Sequence, residues 1–118
     1  MEKKKLDYQI DSNDMYFILS ALRSSAMSDV TYMRELCMKK VEKGEEDWPR
    51  YVECYTNTVA DYEGIHNRLA GQWKRHSGGE RRQEIAHYEE IFDGIRGLLQ
   101  KYKEEIEKAA QERGRHDT

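Results

Sequence analysis

The chain has 118 residues with 20 basic and 23 acidic side chains, a length that suits a single domain. Leu, Ile, Val and Phe together supply only 20 residues, yet a net charge of −3 is too small for disorder by composition, and eight Tyr, five Met and two Trp add apolar bulk. One proline and 36% charged residues favour long helices and exclude a collagen-like chain, a disulfide scaffold and a membrane span.

Residues 1–10 read as a short extended arm, because Leu6, Tyr8 and Ile10 alternate with polar neighbours. No apolar run follows Lys3, Lys4 and Lys5, and Asp7, Asp11 and Asp14 interrupt the place of a signal segment. A cytoplasmic location is therefore expected. The first helix, about 11–43, starts at a cap drawn from Asp11, Ser12, Asn13 or Asp14. Leu19, Leu22, Ala26, Met33 and Leu36 form its inner stripe. Its small, polar middle, Ser24 to Asp29, either breaks the helix or lets a neighbour come close. The reading preferred here is a continuous or bent helix.

Gly44 ends that helix. Asp47 is placed to cap the next, about 47–76, with Pro49 in its first turn. Trp48, Val52, Tyr55, Val59, Tyr62, His66, Leu69 and Trp73 then alternate at four and three. After Ser77-Gly78-Gly79 a third helix, about 80–113, carries Ile85, Tyr88, Phe92, Ile95, Leu99, Tyr102, Ile106 and Ala109. Residues 114–118 are expected to fray. Short loops make neighbouring helices antiparallel, so the predicted fold is an all-α, up-down-up bundle of three long helices. Cys37 and Cys54 read as two buried thiols in a reducing compartment. Ile18, Val30, Ile65, Ile91 and Leu98 lie outside the stripes and predict a homo-oligomer.

Two E-x-x-H motifs stand out, Glu63 with His66 and Glu84 with His87. A carboxylate and an imidazole three apart share a helix face and can bind one metal ion. In these four residues the chain resembles the ferritin-like di-iron proteins, and the resemblance implies a metal-binding protein. It departs from them in placing the motifs on consecutive helices, with Glu35 as the bridging carboxylate available on the first helix. Read by itself, His66 is a core-facing histidine and a pH-sensitive position.

A second constellation depends on topology. If the bundle runs up-down-up, Lys3, Lys4, Lys5, Lys74, Arg75, Arg81 and Arg82 gather at one end. That basic end would take a phosphate-bearing ligand or nucleic acid. Tyr55, Tyr62, Tyr88 and Tyr102 read as large rings filling a slim core. No nucleophile elbow, P-loop or zincin motif is present, and no cofactor is expected. The leading expectation is a small non-enzymatic protein working through protein–protein contacts, as an adaptor, regulator or inhibitor. Its partner is another protein of unknown identity. Phages and mobile elements often encode proteins of this kind.

Overall fold

A computed structural model describes residues 10–76 and 82–116, with the side chains of Arg82, Arg115 and His116 left aside. The predicted arm, apart from Ile10, lies outside the described residues. Three helices make up the fold: α1 (Ser12–Glu42), α2 (Trp48–His76) and α3 (Arg82–His116). α1 is continuous through Ser24–Asp29. It contains neither Gly nor Pro, so nothing in its backbone chemistry stops it. Asp11 caps it, its carboxylate accepting from the Asp14 amide at 2.8 Å.

The turn after α1 closes with Gly44 at φ +77°. The Gly44 amide donates to the Val41 carbonyl and the Glu45 amide to the Lys40 carbonyl, which is a Schellman ending. A Cβ at Gly44 would be strained by that φ and would sit 3.2 Å from Arg113 Nη2. Gly44→Ala is therefore expected to cost about 1–2 kcal/mol, read as a fall in thermal midpoint of about 3–10 °C. Asp47 directly precedes α2; its carbonyl accepts from the Arg50 amide and its carboxylate from Lys40 Nζ, both at 3.2 Å. Lys40 also reaches Glu45, so its side chain ties the end of α1 to the loop.

The helices run up-down-up. Met15 and Leu19 near the start of α1 pack with Ala70 and Trp73 from the end of α2 and with Ile85 and Tyr88 from the start of α3. At the other end Arg34 of α1 pairs with Glu105 of α3 at 2.8 Å, and Arg113 donates to the Glu42 carbonyl. A longer apolar cluster runs from Ala26 and Phe92 to Val41 and Ile106. α1 packs against both other helices, while α2 and α3 share a shorter seam. The result is elongated and thin, 62 × 36 × 17 Å, with a radius of gyration of 18.3 Å. A globular chain of similar length has about 13 Å.

Some sequence expectations need correction. Val30 is fully buried, because its position lies beside Met33 and Ala26 on the inner face of α1. Leu22 and Leu36 are only half-buried at the edge of that face. Cys37 is buried beside the Trp48 carbonyl, and burial pushes its thiol pKa up. Cys54 is exposed, since it falls between the two inward positions Val52 and Tyr55. Helix α3 continues to His116, three residues past the predicted boundary. A lone Gly114 costs a helix only about 1 kcal/mol, and Arg113 anchors that turn to the end of α1.

Candidate functional site

The outer face of α1 has an unusual chemistry. Between Asp14 and Glu35 its exposed residues are Tyr16, Phe17, Ala21, Ser24, Ser25, Met27, Ser28, Thr31 and Tyr32, and none is charged. In a chain with 36% charged residues, a solvent face of five turns without one is out of character. The charged residues of this span are Arg23, Asp29 and Arg34, all half-buried at the flanks of the helix. Arg23 lies over the Tyr88 ring at 4.0 Å, and Arg34 goes to Glu105. Phe17, Ala21, Ser24, Ser28 and Thr31 recur at four, three, four and three, so they form a second stripe opposite the core. The exposed rings are large: Phe17 is 69% accessible, Tyr32 53% and Tyr16 43%.

Where the two apolar clusters meet, the core holds a polar waist. His66 is fully buried, with its ring 4.6 Å from that of Phe92. Its Nδ1 is 3.2 Å from Asn67 Oδ1, and its buried Nε2 has no hydrogen-bond partner among the described residues. Burial lowers the His66 pKa, with the Arg23 charge adding to the effect. Tyr88 donates to Glu84 at 2.9 Å, and burial, together with that carboxylate, pushes its hydroxyl up to about 12. Burial lowers the Arg23 pKa.

The E-x-x-H residues fall into this region without converging. Glu63 pairs with Arg96 at 2.9 Å, and Glu84 accepts from Tyr88. His66 is enclosed, whereas His87 is exposed on α3 and Glu35 is exposed on α1. Among the described residues no three His, Cys, Asp or Glu side chains are placed to hold one metal ion.

Of the predicted basic end, Lys3, Lys4, Lys5 and Arg81 lie outside the described residues, and Arg82 opens α3 with its side chain undescribed. Lys74 and Arg75 are exposed at the end of α2, where the topology also brings the start of α1. An open cleft of about 430 Å³ lies there, between Ile10, Ser12 and Met15 on one side and Gln72, Trp73 and His76 on the other. Gly64 to Gly79 contains no acidic residue. Within it the Arg68 guanidinium lies near Gly64 and that of Arg75 near Gly71.

Sequence reasoning singled out His66 and the basic residues and passed over Phe17, Tyr16, Met27 and Tyr32. The signal was present as an uncharged stripe at helical spacing opposite the inner one. No protein-family model, curated protein or solved structure matches the chain.

Proposed function

We propose that this is a small non-enzymatic protein that acts in the cytoplasm through protein–protein contacts, with the outer face of α1 as its contact surface. The observation that carries the reading is that no exposed residue from Tyr16 to Tyr32 is charged, while three aromatic rings are exposed there beside a floor of small residues. Aromatic residues with little charge around them are what the buried centres of interfaces are made of. Small residues between them let a partner helix approach closely. An adaptor, regulator or inhibitor of a larger machine needs such a surface and no reaction centre.

The test is a photo-crosslinking residue at Ser24 in the full chain, expressed in its native cells, with the same residue at exposed Lys101 as control. The expected result is an adduct specific to position 24 that disappears with Phe17→Asp. Phe17 is 69% exposed, so that change should leave stability within about 0.5 kcal/mol. Equal labelling at both positions would defeat the reading.

A second reading, a phosphate-bearing ligand at the basic end, is favoured by the acid-free span from Gly64 to Gly79 and the open cleft next to it. Arg68, Lys74 and Arg75 would supply its charge.

A further inference from the structure

We propose that a second copy of this chain docks on the outer face of α1, the two α1 helices crossing antiparallel about a two-fold axis near Ser24. This deepens the proposed function by naming the partner, and rests on the same face.

The argument begins with register. An isologous contact must match its own inverted copy. Inversion about the midpoint of Ser24 and Ser25 sets Phe17 against Tyr32, Ala21 against Ser28, and Ser24 against Ser25. Large rings then meet at the two ends, and small side chains meet at the centre, where the backbones come closest. Small residues at a crossing allow interaxial distances near the ~8 Å minimum for packed helices.

Charge points the same way. The first exposed charged residues, Asp14 and Glu35, stand ten and eleven positions from Ser24, about 15 Å along the axis on either side. A copy of the same face buries no charge against this one. α2 offers Arg68, Lys74 and Arg75 among its exposed residues, and α3 offers Glu90, Asp93 and Lys101, all of which would need desolvation.

The area fits a weak dimer. An aromatic side chain carries about 200 Å². With 69%, 53% and 43% exposure, Phe17, Tyr32 and Tyr16 offer roughly 330 Å² per copy, taking that value for each ring. Over two copies the rings give about 660 Å², and Met27, 39% exposed, and the small residues of the stripe add to it, so the contact lies at or below the ~1,200 Å² lower bound for a specific interface. We expect a weak dimer, with an affinity that the concentration series below reads directly.

The experiment uses the full chain with Cys54→Ser, leaving the buried Cys37. Ser24→Cys is compared with Lys101→Cys under mild oxidation, alongside light scattering of the wild type up to several hundred micromolar. A disulfide needs Cα atoms within about 7 Å, so only a close crossing at Ser24 joins two copies there. We expect disulfide-linked dimer to form at least tenfold faster at position 24 than at 101. The addition of Phe17→Asp should remove that advantage. The wild-type mass should rise toward twice 14.0 kDa with concentration. A monomer throughout, with equal cross-linking at 24 and 101, overturns the second copy. If photo-crosslinking at Ser24 then still captures a different protein, the contact surface stands and only the identity of its occupant falls. If it captures nothing, both readings fall.

Discussion

Phe92→Ala is expected to lower the free energy of unfolding by about 3–5 kcal/mol, the range for emptying a buried aromatic site. Phe92 is the largest fully buried side chain, at 1% exposure, and it sits where the two apolar clusters approach each other. Its ring covers His66, with centroids 4.6 Å apart. Removing it takes away packing and opens space beside an imidazole whose Nε2 has no hydrogen-bond partner among the described residues. A domain of this size has about 5–15 kcal/mol in total, so one substitution removes about a fifth or more. The measurement is urea unfolding followed by circular dichroism. A lower midpoint with an unchanged slope reports stability alone. Phe17→Ala, at the exposed end of the outer stripe, is the comparison and should move the midpoint little. If Phe92→Ala unfolds at nearly the wild-type midpoint, the waist is not the packed centre of the molecule.

The contrast between the two phenylalanines shows what the sequence discloses and what it conceals. In α2 and α3 the four-and-three spacing of large residues picks out the inner face, and nearly every such position is buried or half-buried. Charged residues on the other faces make the periodicity easy to see. α1 lacks that contrast, because its outer face is uncharged and partly aromatic. Leu22 and Leu36 then look internal and Val30 does not, and the packing reverses this: Val30 is fully buried, while the two leucines are half-buried at the edge. The blurred pattern of α1 is itself the trace of a second apolar surface. The E-x-x-H motifs mislead for a related reason. Three-residue spacing places Glu and His on one side of a helix but does not say which partner each will take. Here Arg96 and Tyr88 take the two carboxylates. The cap of α1 was legible only as one of four residues, and the structure selects Asp11. Asp47 directly precedes α2, where the sequence places it, and the sequence did not show that Lys40 would reach its carboxylate across the turn.

Acid should weaken the fold through His66, and the direction follows from its surroundings. The ring is enclosed by Asn67 on its own helix and Phe92 on α3, with the charges of Arg23 on α1 and Glu89 on α3 acting on it. Burial disfavours the imidazolium first, and the Arg23 charge adds to this; Asn67 and Glu89 pull the other way and do not prevail. A hydrogen on Nδ1 donates to Asn67 Oδ1, so a second proton would go to Nε2, which has no acceptor. The folded pKa thus lies below the unfolded value of about 6.5. Above that value both states are neutral at His66 and stability is flat. As pH falls below it, the unfolded chain takes up the proton first, and stability falls by up to about 1.4 kcal/mol per pH unit until the folded pKa is reached. Urea midpoints at pH 7.5, 6.5 and 5.5 read this directly, above the range where carboxylates begin to titrate. The wild type should lose stability between 6.5 and 5.5, and His66→Met should not. His87→Gln, at an exposed position on α3, should keep the wild-type slope. If His66→Met retains the full loss, the acid response belongs to another group and the buried imidazole is not its source.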